Sequence, residues 1–242
     1  MATTAHLPLL DGRPHLTVGI ITADLANLGS EVRLLEDAGV ELVHIDVMDG
    51  VFCPTMTVGP PLIRAIRSPV LLKDAHLMID EPLEKLGDFV KAGADLVTFH
   101  VESTRHPHRV LQALGVATNA NDPERGIIRG VALNPGTPVA AIEPLLDELE
   151  YVLVLAINPG WSGQRFLESS ERRLAEAKEV IARSGRPILL GVDGGITREN
   201  VARVAAMGPN IIVTGSAVFD GKAAAENARF MLTQVAPALV SF

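Results

Sequence analysis

The sequence predicts a single closed (β/α)8 barrel, the TIM architecture, and three observations carry that expectation. Short runs rich in Val, Ile and Leu recur eight times, most of them followed by a turn and a segment with apolar residues at i, i+3 and i+4. Spread over 242 residues, eight units take about 30 residues each, close to the ~250 of a complete barrel. Polar residues also stand at or just past the C-terminal end of nearly every run: Thr22 and Asp24, His44 and Asp46, His76, His100, Asn134, Asn158, Asp193 and Ser216. A parallel barrel gathers all those ends on one rim, where active sites are built.

Taken in order, the strands are expected at 16–22, 42–47, 70–77, 96–100, 127–133, 152–157, 188–192 and 211–214. Helices are expected between them at 27–38, 82–92, 138–149, 169–183 and 198–207, with Gly39, Gly93, Gly185 and Gly208 as C-cap signals. No GxGxxG fingerprint opens a first helix, as a doubly wound dinucleotide-binding sheet would require. One barrel domain is therefore expected across 1–242, with a short N-terminal extension and a polar surface loop near 116–126.

Composition narrows the function classes. Apolar side chains make up 48% of the chain, enough for a sizeable core, and 21 Lys and Arg against 29 Asp and Glu give a net charge of −8. That balance argues against a nucleic-acid or anionic-membrane surface and in favour of small-molecule partners. The single cysteine, Cys53, cannot build a disulfide framework, and the start MATTAHLPLLDGRPHL lacks the pattern of a signal peptide. No run reaches the ~18 to 20 apolar residues of a membrane helix. A cytoplasmic enzyme is the expectation.

Two groups of residues could carry chemistry. The spacing His44-x-Asp46 puts both side chains on one strand face, because side chains alternate with period two. His76 and Asp193 stand at other strand ends, and two imidazoles with two carboxylates on one rim suit a single divalent ion, with Zn, Fe, Mn or Co all allowed by ligand type. The competing reading of any one such histidine is an ordinary hydrogen-bonded rim residue. The second group is the glycine clusters NPGWSGQ, DGG and TGSA after the last three strands, each expected to open a helix whose backbone N–H groups would receive a phosphate. Their candidates are Gly160, Trp161, Ser162, Gly163, Gly194, Gly195, Gly215 and Ser216; plain tight turns are the alternative. Met48 and Met78 could offer polarizable sulfur to a reacting group or simply fill the core. His106 and His108 fit a solvated loop, Cys53 a small buried hydrophobe, and the Glu and Arg run of 168–183 a solvated helix face.

Together, HIDVMDGVFCPTMTVGPP, DAHLMIDEP, VALNPGTP, INPGWSGQRF, VDGGIT and TGSAVF resemble, in order and spacing, the motifs of the ribulose-phosphate 3-epimerase family, from about residue 18 to 219. The resemblance implies a barrel that interconverts D-ribulose 5-phosphate and D-xylulose 5-phosphate by inverting C3. It implies that His44, Asp46, His76 and Asp193 bind the metal, that Asp46 and Asp193 also transfer the proton through a cis-enediolate, and that the glycine clusters form the phosphate site. It further implies a homo-oligomer and no organic cofactor. Five positions depart from the family pattern: Gly19 where Ser is common, Thr55 for Asn, Leu155 for a methionine, the Trp161-Ser162 pair inside GFGG, and Gly191 for the Glu before VDGG. A 3-epimerase of another phosphorylated ketose, a hexulose or tetrulose phosphate, is thus the alternative substrate class. Two rivals from other classes are a phosphate-binding decarboxylase or synthase using Lys73 and Asp74, and a non-catalytic phosphosugar-binding protein. Lys73 and Asp74, adjacent on a strand, cannot both face the mouth.

Overall fold

A computed structural model describes residues 7–236. Eight parallel strands close into a barrel in sequence order: β1 (His15–Gly19), β2 (Leu42–Met48), β3 (Leu72–Met78), β4 (Leu96–His100), β5 (Ile128–Leu133), β6 (Tyr151–Leu155), β7 (Leu189–Asp193) and β8 (Ile211–Thr214), with β1 paired to both β2 and β8. Seven α-helices are described around it: α1 (Leu28–Ala38), α2 (Pro60–Ala65), α3 (Leu86–Lys91), α4 (Pro107–Gly115), α5 (Ser169–Ser184), α6 (Val201–Ala206) and α7 (Ala224–Val235).

Strand alternation sorts the side chains into two cores. On β2, Val43, Ile45 and Val47 join the apolar layer beneath the helices, while Leu42 belongs to the barrel interior with Leu96, Ile128, Tyr151, Leu153, Leu189 and Ile211. The N-terminal extension closes the base of that interior: a 3-10 turn at Leu7–Leu10 seats Leu9, 5% exposed, against it. Burying one such leucine contributes about 1.5–3 kcal/mol. Tyr151 is the largest fully buried side chain, and two glycines make its space. A Cβ on Gly191 would stand 2.3 Å from the phenol oxygen, and one on Gly130 would stand 3.0 Å from the ring.

Where the structure departs from the expected elements, the causes are local. The β5–β6 connection, expected as a helix over 138–149, is a 3-10 helix at Val139–Leu145 with Pro144 inside it. Proline removes the N–H and crowds the carbonyl of an α-helical turn. The expected 82–92 helix splits into a 3-10 turn at Pro82–Lys85 and α3. Strand β1 stops at Gly19, short of residue 22, and turns into a 3-10 helix at Ile20–Thr22, while β3 starts at Leu72 and leaves Val70 exposed. The polar loop is tied down as well as solvated. Asn119 is fully buried and donates to Asp95 Oδ1 at 3.1 Å, Asn121 donates to the same oxygen at 3.0 Å and to the Gly93 carbonyl at 2.8 Å, and Arg125 pairs with Asp95.

Candidate active site

His44, Asp46 and His76 are not terminal residues of their strands, since β2 and β3 run on to Met48 and Met78. Register brings them to the mouth instead. His44 lies opposite Gly19, the last residue of β1, Asp46 lies opposite His76, and Asp193 ends β7. One ligand-capable atom from each of His44, Asp46, His76 and Asp193 falls within 4.8 Å of all the others. His44 Nε2 and His76 Nδ1 are 3.2 Å apart and face Asp46 Oδ1 at 3.2 and 3.0 Å and Asp193 Oδ2 at 3.9 and 3.8 Å.

The other ring nitrogens are already engaged. His44 Nδ1–H donates to Asp74 Oδ2 at 2.7 Å, and His76 Nε2 meets His100 Nε2 at 2.8 Å. His100 Nδ1 in turn stands 3.3 Å from Glu102 Oε2, and Glu102 accepts from the Asn134 N–H at 2.8 Å and from the Thr137 hydroxyl. With the Nδ1 proton of His100 facing that carboxylate, its Nε2 accepts from His76 Nε2–H and leaves His76 Nδ1 for the cluster. Each histidine thus turns its remaining nitrogen toward the same point as two carboxylates. This donor set, oriented from behind by Asp74 and by the His100–Glu102 pair, fits a divalent transition metal.

Electrostatics separates the two aspartates. Burial works against charge on Asp46, but His44 and His76 beside it outweigh burial and hold its carboxyl below the ordinary range. For Asp193 burial dominates, the neighbouring Asp46 charge adds to it, and its pKa is pushed up to about 6. His44 is opposed by burial yet held well above the usual imidazole value by Asp74 and Asp46, whereas burial takes His100 down to about 4. The two carboxylates therefore differ in proton affinity, Asp193 holding a proton more readily than Asp46.

Above this floor lies a cavity of about 1090 Å3, and every glycine-cluster candidate lines it: Gly160, Trp161, Ser162, Gly163, Gly194, Gly195, Gly215 and Ser216, together with Asp46, Asp193, Met48 and Met78. The expectation that these clusters open helices is corrected. Helices α5, α6 and α7 begin at Ser169, Val201 and Ala224, so the cluster residues sit in loops and a turn several residues ahead of any helix. Glycine geometry explains it: Gly194 and Gly195 adopt φ of +103° and +68°, which a helix cannot use, and a Cβ on Gly195 would lie 2.4 Å from the Phe166 backbone nitrogen. Bonds across the mouth shape the rest. The Thr55 hydroxyl donates to the Gly160 carbonyl, and Gln164 Nε2 donates to the carbonyls of Asn158 and Trp161 at 2.6 and 3.0 Å.

Several supporting residues escaped the sequence reading. Asp74 was recoverable, since Asp74-x-His76 repeats the alternation of His44-x-Asp46, and the register puts Asp74 opposite His44. Arg173 was placed on a solvated face but is 4% exposed, and it donates to the carbonyls of Leu155 at 2.8 Å and Asn134 at 2.7 Å, clamping the ends of β5 and β6 together. Lys73 points away from the mouth while Asp74 points in, as alternation requires. Four departures line the cavity, Gly19, Thr55, Leu155 and Ser162, while the space at Gly191 is occupied by the Tyr151 phenol.

The barrel resembles KGPDC from Streptococcus mutans, with a TM-score of 0.67 and 17% identity over 92% of this chain and 97% of that one. It also resembles 3-hexulose-6-phosphate synthase from Salmonella typhimurium, with a TM-score of 0.64 and 19% identity over 91% and 98%. At those identities the likeness concerns the fold alone. Sequence relatives are much nearer. The chloroplastic ribulose-5-phosphate-3-epimerase of Arabidopsis thaliana is 42% identical over 92% of this chain and 77% of its own length, and the ribulose-phosphate 3-epimerase of Bacillus subtilis is 42% identical over 83% and 89%. The model of the ribulose-phosphate 3 epimerase family matches residues 15–219. That span takes in all eight strands, the His and Asp cluster and the glycine rim, so this chain belongs to the ribulose-phosphate 3-epimerase family and is an epimerising enzyme.

Proposed function

We propose that the protein inverts C3 of a ketopentose phosphate, interconverting D-ribulose 5-phosphate and D-xylulose 5-phosphate, with one divalent metal ion (Zn, Fe, Mn or Co) held by His44, Asp46, His76 and Asp193. The observation that carries this reading is a pair of carboxylates, Asp46 and Asp193, that share one floor, open to one cavity and differ in proton affinity. Inversion needs that pair: one group takes a proton from one face of C3 and the other returns a proton to the opposite face.

A hydrogen on C3, next to the C2 ketone, is too weakly acidic to leave at neutral pH unless the resulting enediolate is stabilised. A divalent cation, when bound, supplies Lewis-acid stabilisation of the negative charge on the C2 and C3 oxygens. Asp46, ionised, takes the C3 proton as the C–H electron pair moves into the C2–C3 bond and the carbonyl pair moves onto the C2 oxygen. Asp193, protonated, then delivers its proton to C3 from the other side. The reverse reaction exchanges the two roles. Met48 and Met78, which line the cavity, would offer polarizable sulfur to the reacting carbons. The phosphate rests on backbone N–H groups of Gly160, Trp161, Ser162, Gly163, Gly194, Gly195, Gly215 and Ser216, which orient the sugar over the floor. Two-base chemistry requires no organic cofactor. The working form is read as a single-domain barrel over 1–242 that assembles as a cytoplasmic homo-oligomer.

A second substrate class, a hexulose or tetrulose phosphate, is favoured by one observation: Gly19, Thr55, Leu155 and Ser162 all line the cavity. The test is a panel of pentulose, hexulose and tetrulose phosphates in deuterium oxide, followed by NMR at C3. Deuterium entering C3 of ribulose 5-phosphate with formation of xylulose 5-phosphate is the expected result, and faster exchange in a six- or four-carbon ketose phosphate moves the assignment to that sugar. Exchange in none of them sinks the epimerase reading.

A further inference from the structure

At the opposite end of the barrel from the mouth, between α2 and α3, lies a cavity of about 530 Å3 whose charged lining is entirely basic: Arg64, Arg67, Lys73 and Lys91. Arg64 and Lys91 stand in the last turns of α2 and α3, where a cation offsets the carbonyl ends of a helix, and that placement alone is unremarkable in a surface. Arg67 lies beyond the helix, and Lys73 is the second residue of β3.

Lys73 is the residue that a solvated surface does not explain. It is only 6% exposed, an amount lysine rarely reaches without a paired carboxylate. Its ammonium group has three donors, and the contact found for it is the Ile66 carbonyl at 3.4 Å, a weak bond. Space has been kept for it: a Cβ on Gly93 would approach Lys73 Nζ to 2.8 Å. Among the described residues none of the four cations is within ion-pair distance of a carboxylate, although the chain as a whole carries an excess of acids. The nearby acids are committed elsewhere. Asp95 accepts from Asn119, Asn121, the Lys73 backbone N–H and Arg125, and Glu36 accepts from the Ser68 hydroxyl. Burial draws the Lys73 ammonium down, with Asp95 offsetting part of the effect.

We propose that this cavity is a second anion site, distinct from the mouth, for a small phosphate-bearing molecule with two or more negative charges. A phosphate there would complete the donors of Lys73 at the bottom of the pocket while Arg64, Arg67 and Lys91 close over its outer oxygens. Guanidinium groups match phosphate oxygens in pairs. The groove is open to solvent, and a buried lysine at its base is reached by a compact oxyanion rather than by the side of a protein. None of these residues lines the mouth, so the site stands whether or not the mouth receives a sugar phosphate.

The probe is inorganic pyrophosphate, titrated by calorimetry at low salt into the wild-type protein and into Arg64→Ala/Arg67→Ala. The double variant should lose about tenfold or more in affinity at one class of site, as expected for removing charge-assisted bonds, while its kinetics with ribulose 5-phosphate stay at the wild-type level. Crystals soaked in tungstate should show an anomalous peak beside Lys73 Nζ that vanishes in the double variant. Lys91→Ala, at an exposed position, gives the same readout if the double variant fails to fold. Unchanged pyrophosphate binding in a folded charge-removal variant, or tungstate density at the mouth alone, overturns the proposal. Loss of turnover in these variants with pyrophosphate affinity unaltered overturns it too, because the cations would then serve the barrel and not a ligand.

Discussion

His44, Asp46, His76 and Asp193 sit on strands, and both histidines are held by an acceptor from a neighbouring strand, Asp74 behind His44 and His100 behind His76. The rim sits on loops whose shape comes from backbone angles at Gly160, Gly163, Gly194 and Gly195 and from bonds such as Thr55 to Gly160. The floor is fixed by side chains and strand register, the rim by glycine backbone angles and side chains that brace its carbonyls. The first arrangement suits steps in which a proton moves over a short, defined distance; the second suits close approach of backbone amides to a charged group that takes no part in bond breaking. Damage to the floor should therefore appear in turnover, and damage to the rim in substrate affinity.

The largest effect is expected for Asp46 and Asp193, the pair proposed to transfer the proton. Asp46→Asn or Asp193→Asn removes a group that can exchange a proton, and turnover should fall ~10² to 10⁴-fold, or further where metal is also lost. Solvent-deuterium exchange sharpens this. In metal-loaded protein one variant should still exchange hydrogen at C3 of one epimer without converting it to the other, and wild-type epimerisation by both variants would end the two-base account. Next come the residues behind the floor. Asp74→Asn and His100→Asn leave all four candidate ligands in place but release the ring orientations, so metal content after dialysis and activity should each drop by ~10 to 100-fold. Metal analysis alongside kinetics checks it, and full retention of both would show that the rings need no such support.

Smaller effects should mark the rim. A Cβ at Gly215 would press on the Thr22 hydroxyl at 3.1 Å, a side chain that a shift of a few tenths of an ångström would accommodate. Gly215→Ala should fold, raise KM and spare kcat; a change confined to kcat would place position 215 with the floor. The smallest effect is expected far from the mouth. Gly39 closes α1 at φ +89°, with open space where a Cβ would go, so Gly39→Ala should destabilise the fold by about 1 kcal/mol through backbone strain alone and leave the kinetics untouched. Thermal unfolding and steady-state rates measured together would separate the two.

Much of this was legible in the sequence because strands declare themselves locally. The runs of Val, Ile and Leu marked all eight strands, missing mainly at their ends, and the alternation in His44-x-Asp46 assigned an inward face before any contact was known. What stayed hidden depends on register or on a single backbone angle. The pairing of His44 with Asp74 follows only once β2 and β3 are aligned. Arg173 lies in a helix of charged residues, and nothing in that run says which arginine turns inward to collect carbonyls. The glycine clusters marked turns at the mouth but not their form, since the same residues can precede a helix or, as here, build a loop. Pro144 is a helix-breaking signal inside the span expected as a helix, and it accounts for the 3-10 form found there.

Tyr151 and Gly191 occupy one volume between them, with the phenol on β6 filling what a side chain on β7 would need. Neither position is free to vary alone. Any larger residue at 191 meets a ring that is fully buried and cannot swing aside, and a smaller residue at 151 leaves a void directly under Asp193. The effects of substitution at the two sites should accordingly be strongly non-additive. A carboxylic side chain introduced at 191 should be tolerated only beside a small residue at 151, so the two positions form one heritable unit, passed between neighbouring strands as an exchange of bulk.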